Sequence, residues 1–279
     1  MVETVLQTWG MNDALRNSLW NVLDANIWSA PGFRGNQAFR LGKIDEFSLD
    51  LWANFFKKPM DVRPDKHSQI LGEIRTHFFG CPWFEVYDFV EFVVRQQRSQ
   101  ELEQHVNRIL EREIAGFRYI SGRFVPVTDE QEVKALQEAL EKGPYEGVTA
   151  HMQKAVDHLS SRENPDYRNS IKESISAVES MAKEMTGRPR ASLKDALGMI
   201  EEAGRIHPAL KKGLSSLYGY TSDEGGIRHA MLNEPDISAT DAKFFLVSCS
   251  AFVNYLKAKS TNATQPQVPA GTAASRRRS

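Results

Sequence analysis

Apolar residues recur at helical spacing along most of this chain, and Gly, Pro and short polar runs divide the pattern into segments. Asn12 and Asp13 are good residues for starting a helix. Behind them Leu15, Leu19, Trp20, Val22, Leu23 and Ile27 share one broad face, and Pro31-Gly32 stops the helix. A loop carrying Gly35 and Gly42 follows. Residues 48–56 then read as a short helix with Leu49, Trp52, Ala53 and Phe56 at core spacing, ended by Lys57-Lys58-Pro59. Residues 70–79 and 83–94 form a helix pair parted by Gly80-Cys81-Pro82. In the second of these, Trp83, Val86, Tyr87, Val90 and Val94 make a helix-period stripe. Residues 101–114 repeat the pattern through Leu102, Val106, Ile109 and Leu110.

The period changes at Phe117. Residues 117–120 and 123–125 flank Ser121-Gly122, which predicts a β-hairpin with a two-residue turn near 117–127, with Pro126 closing it or on its free edge. Thr128 with Gln131 fits a capping box opening a helix through Val133, Leu136 and Leu140. Gly143-Pro144 breaks it, and Val148, Met152, Ala155 and Leu159 mark the next. The polar run 160–165 is the best domain boundary. Beyond it Ile171, Ile175, Val178, Met181 and Met185 define a long helix, and 193–200, 206–217 and 239–256 define three more, with a polar loop over 220–226. The fold class is therefore mainly α, in two helical domains, 1–160 and 161–259. The first carries the hairpin, and residues 260–279 are expected to be a disordered tail.

Composition narrows the function classes. Hydrophobic residues make up 41% and charged residues 25%, as in a globular protein, and the formal net charge is −1. Near-neutrality excludes whole-molecule attraction to nucleic acid and leaves only local basic patches, such as Arg276 to Arg278 at the end of the tail. No apolar run approaches the roughly 20 residues needed to span a bilayer. No charged start leads into an apolar stretch, so the expectation is a cytoplasmic protein without membrane contact. Cys81 and Cys249 are far apart without metal-type spacing, and Cys249 lies in an apolar run as a buried thiol.

Phosphate-loop, nucleophile-elbow and zinc-protease motifs are missing. His151 and His158 lie two helical turns apart with no Cys or carboxylate to complete a ligand set, so neither a metal nor another cofactor is expected. The aromatic residues Trp20, Trp52, Phe55, Phe56, Trp83, Tyr87 and Phe92 fall at core positions, which favours packing over base stacking. Arg16 and Glu91, embedded in apolar helices, are read as members of buried ion pairs.

Five segments of the second half, taken in order, resemble the C-terminal domain of abortive-infection proteins, a branch of the HEPN superfamily. They are 164–171 (from Asn164-Pro165-Asp166-Tyr167), 176–179, 192–197, 217–230 and 244–256. The first half resembles the N-terminal domain of AbiJ-type abortive-infection proteins through 15–23, 51–59 (Leu51-Trp52 to Lys58-Pro59), 83–92 and 122–128. The resemblance implies an anti-phage defence effector with a HEPN-like helical bundle that forms a homodimer. Its RNA-cleaving or RNA-binding site would sit near the dimer interface.

HEPN nucleases carry an Arg, a polar residue and, a few positions on, a His. An imidazole can move a proton at the 2′-hydroxyl or the leaving oxygen, and a guanidinium can hold the phosphate. His229, in Gly226-Ile227-Arg228-His229, matches the motif His. Asp223 matches the polar residue, Ser222 stands in the Arg position, and Arg228 offers the basic charge. These four are the candidate catalytic residues of a metal-independent endoribonuclease. The alternative is a non-catalytic HEPN-like module that binds RNA or protein and mainly dimerises. In that case His229 caps or braces a helix, and Glu179 pairs with Arg228. A second pair at compatible spacing, Arg98 and His105, lies outside the HEPN-like half and arises by chance at this frequency of Arg and His. The sequence names no antitoxin or sensor partner.

Overall fold

The computed structural model describes residues 6–29, 43–162, 164–222 and 237–262. The fold is mainly helical with one two-stranded antiparallel hairpin among the described residues. The chain divides into two compact units. The first is Met1–Gln137 with Val156–Ser170, and the second is Glu138–Ala155 with Ile171–Ser279.

In the first unit, α1 (Asp13–Leu23) starts where the Asn12 side chain accepts from the Leu15 N–H at 2.8 Å. Its last turn widens into a π-helical turn, Asp24–Trp28, which brings both Ile27 and Trp28 into the core. The next helix, α2 (Lys43–Asp50), also ends in a π-helical turn, Leu51–Phe55. Here the structure departs from the periodicity. Ile44, Phe47, Leu51 and Trp52 face inward, Leu49 is exposed, and so is Ala53. An earlier helix start and the extra residue in the π turn rotate the apolar face away from the one that residues 48–56 suggest.

Helices α3 (His67–Gly80), α4 (Trp83–Gln97) and α5 (Gln100–Arg112) follow. Pro82 forces the break between α3 and α4, because the residue before a proline is driven out of the helical region. Cys81 accordingly has φ −76° and ψ 158°. Helix α4 ends at Arg98 in the left-handed conformation, φ 47°, so that residue belongs to a helix cap.

Strands β1 (Arg118–Ile120) and β2 (Arg123–Val125) pair in the register that the two-residue turn dictates, Ile120 opposite Arg123. Ser121 and Gly122 both have positive φ, 48° and 87°, the geometry that suits the right-handed twist of a tight hairpin. Upstream of the hairpin, Gly116 passes close to the N-terminal segment and donates its N–H to the Gln7 carbonyl at 2.9 Å. A Cβ there would stand 2.8 Å from that oxygen. The unit's core is aromatic-rich. Trp28, Trp52, Tyr87, Tyr119, Phe78, Phe89 and Phe124 are its largest enclosed rings, with Tyr87 and Phe124 edge to face at 4.7 Å.

Asp129 starts α6 (Glu130–Leu140), its carboxylate accepting from the Gln131 and Glu132 N–H groups. The cap is thus one residue beyond Thr128. Helices α6, α7 (Glu146–Ser160) and α8 (Tyr167–Thr186) each contribute residues to both units.

The second unit adds α9 (Leu193–Glu202), α10 (Pro208–Ser222) and α11 (Ala239–Asn262). Its buried residues include Met152, Ile171, Met181, Leu197, Leu246 and Val253, at the spacing the apolar pattern implies. Helix α10 runs to Ser222, past Tyr220 where the pattern places a loop, and α11 continues past Ser260 to Asn262. No helix among the described residues is long and apolar enough to cross a membrane.

Candidate functional sites

Ser222 closes α10, while Asp223, Arg228 and His229 lie outside the described residues, in the segment joining α10 to α11. Glu179, the expected structural partner of Arg228, forms an ion pair at 2.6 Å with Lys183, one turn further along α8. The second unit also holds a close contact between His151 Nδ1 and the Glu173 carboxylate at 2.7 Å, which gives His151 a structural partner. Apolar side chains of α9, α10 and α11 face solvent: Met199, Leu210, Leu217 and Phe244, the last 53% exposed.

The first unit contains a charged cavity of about 340 Å³, lined by Asp88, Glu91, Arg123, Asp157, Ser160, Ser161 and Arg162. The inner face of α4 carries Glu91 among apolar neighbours, where a lone carboxylate would be costly. Three donors compensate it: the Phe124 N–H of β2 at 2.6 Å, Arg162 at 3.1 Å and Arg123 at 3.4 Å. Arg123 also binds Asp157 at 2.8 Å, and Arg162 binds Asp88. Burial alone lowers the Arg123 pKa, but the Asp157 hydrogen bond and the charges of Asp157 and Glu91 outweigh it and raise the pKa. Arg162 Nη1 and Ser160 Oγ are enclosed without a hydrogen-bond partner. The arrangement ties α4, β2 and the end of α7 together by charge, and it contains no nucleophile paired with a base.

Glu91 thus meets its expected ion-paired role. Arg16 does not: its guanidinium donates to the Phe78 and Cys81 carbonyls, at 2.8 and 2.9 Å, capping the end of α3.

A second cluster sits at the corner between α3 and α4. His77 in the last turn of α3, Cys81 at the corner and Glu85 in the first turn of α4 each place one ligand-type atom within 4.8 Å of the other two. All three side chains are half-buried. His77 Nε2 is enclosed with no hydrogen-bond partner, while the His77 ring packs on Phe56 at 4.8 Å. Burial lowers the His77 pKa and raises that of Cys81, so imidazole and thiol stay neutral together and do not form a thiolate–imidazolium nucleophile. The sequence signal was His77, Cys81 and Glu85 at steps of four residues, a spacing that weighing the cysteines only against each other overlooks.

The profile of the family described as AbiJ N-terminal domain 4 matches residues 1–142. The chain belongs to this family. The AbiJ-type region spans α1 to α6 with the hairpin, and so contains the His77–Cys81–Glu85 corner and the Glu91 side of the charged cavity. Membership makes the chain an abortive-infection-type defence protein. No curated protein and no solved structure matches the chain.

Proposed function

We propose that this abortive-infection protein is an effector whose AbiJ-type N-terminal region governs a HEPN-like second module, residues 161–259, that acts on RNA as a metal-independent endoribonuclease. The observation that carries this reading is the AbiJ match over residues 1–142, followed by a separate helical unit in which the segment between α10 and α11 bears Arg228 and His229. In the reaction His229 moves the proton at the 2′-hydroxyl or the leaving oxygen, and Arg228 holds the phosphate and offsets its developing charge. Asp223 and Ser222 stand at the positions of the motif's polar residue and Arg. The exposed Met199, Leu210, Leu217 and Phe244 support a homodimer, in which two copies of the segment meet across a two-fold axis.

The reading is tested in phage-challenged cells expressing the full chain or His229→Ala. Arrest of infected cells with fragmented RNA for the wild type, and neither for an equally abundant variant, is the expected result. Protection that survives His229→Ala would replace the nuclease with the binding alternative, in which the second module dimerises and regulates without cutting.

A further inference from the structure

We propose that His77, Cys81 and Glu85 form a binding site for one divalent transition-metal ion, Zn2+ by its chemistry, at the α3–α4 corner of the AbiJ-type region. Three ligand atoms no more than 4.8 Å apart always leave a point within about 2.8 Å of all of them. Zinc bonds are about 2.0–2.3 Å long, so each ligand atom closes on the ion by less than about 1 Å, within the reach of side-chain rotation.

The donor set selects the metal. One imidazole nitrogen, one thiolate and one carboxylate suit Zn2+ and its neighbours, whereas Mg2+ and Ca2+ require oxygen donors throughout. The charges also balance, since thiolate and carboxylate together offset the two positive charges of the ion and the imidazole remains neutral. Binding releases the Cys81 thiol proton to solvent and involves no change of oxidation state.

Local structure prepares the site. The Pro82 break turns the chain between His77 and Glu85, so the two helix ends converge on Cys81. Arg16 holds the Cys81 carbonyl at 2.9 Å, which fixes the backbone that carries the thiol and places a positive charge beside the thiolate. His77 Nε2 has no hydrogen-bond partner, which leaves an enclosed ring nitrogen to be satisfied. Three protein ligands leave the fourth tetrahedral position to water or an added ligand. The bound ion would join α3 to α4 through side chains, in addition to their backbone connection.

Co2+ is the probe, because thiolate coordination gives it a charge-transfer absorption that oxygen and nitrogen ligands do not. Full-length protein titrated with Co2+ should develop this band at one equivalent, and Zn2+ should displace it. Cys249→Ser should keep the band and Cys81→Ser should lose it. His77→Gln and Glu85→Gln should weaken binding by more than the about 10–100-fold that follows loss of an outer-shell partner. Absence of the band in wild-type protein, or its persistence in Cys81→Ser, would overturn the site. Should Cys81→Ser fail to fold, alkylation of wild-type protein decides instead. Zn2+ must slow modification of Cys81 and EDTA must restore it, and an unchanged rate would overturn the proposal.

Discussion

The Arg162 guanidinium stands 3.1 Å from the Glu91 carboxylate, with 9% and 5% of the two side chains exposed. A pair so far from water is held less by its own attraction than by the cost of leaving either charge alone. Glu91→Ala should destabilise the first unit by about 1–3 kcal/mol, the cost of leaving the buried Phe124 N–H unsatisfied, while Arg162 keeps Asp88 and Arg123 keeps Asp157. Glu91→Gln, which can still accept from the Phe124 N–H, should cost less. All 5 tryptophans lie between Trp9 and Trp83, so tryptophan fluorescence during urea unfolding reports this unit alone. Equal midpoints for wild type and Glu91→Ala would show that the network contributes nothing.

The two cysteines should differ sharply in reactivity. Burial pushes the Cys249 thiol up to about 12, and its side chain is nearly enclosed in α11. Cys81 is also raised by burial but is only half-buried, and Arg16 acts against the rise. Native protein treated with maleimide in EDTA should be labelled at Cys81 first, with Cys249 reacting only after unfolding. Mass spectrometry of the peptides reads the order, and early labelling of Cys249 would contradict the packing of α11.

Asp166 starts α8, its carboxylate accepting from the Asn169 N–H at 2.9 Å and from the Asn169 side chain at 2.6 Å. Burial is the largest single influence and raises its pKa, but the two Asn169 hydrogen bonds and the charges of His158 and Arg168 together outweigh it, so the folded value falls below the usual 3.8. A depressed carboxylate adds stability above its unfolded pKa and loses it as pH falls through the folded value. Asp166→Ala should thus cost about 1 kcal/mol at neutral pH. That difference should begin to shrink as pH falls below the unfolded value of about 4 and vanish once pH has passed through the lower folded value, where both states are protonated. A difference that stays constant from pH 7 to pH 3 would remove the carboxylate from the cap.

Gly122 occupies the second turn position with φ 87°, and a Cβ there would come within 3.2 Å of the Arg95 side chain. Gly122→Ala should destabilise the first unit by about 1 kcal/mol or more, because a side chain at positive φ is strained whatever the space. A thermal midpoint equal to the wild type's would show that the hairpin is not under that constraint.

The parts of the fold legible in the sequence are those whose cause is local. Ser121-Gly122 specifies the hairpin because two adjacent positive-φ residues leave the chain little other choice, and Pro82 specifies the break between α3 and α4 in the same way. The inward face of α2 was not legible, because π-helical turns follow from packing and shift the period that Leu49 and Ala53 seemed to obey. Burial of Glu91 among apolar residues announced a partner but not which one. Arg162 and Arg123 reach it only after distant segments fold together. The metal-type corner was hidden for a related reason: His77 and Glu85 belong to different helices, and their nearness depends on the turn at Cys81 and Pro82.

The proposed function rests on one step: RNA cleavage by the second module through His229, without a metal ion. The most direct measurement is cleavage of total cellular RNA by the purified full chain in EDTA, with His229→Ala beside it at matched fold and oligomeric state. The wild type should cut, and the variant should lose at least about a hundredfold of that activity, the scale of losing a general acid–base group, about 10²–10⁴. Equal cutting by both proteins, or none by either in the presence of phage-infected cell extract, would contradict it.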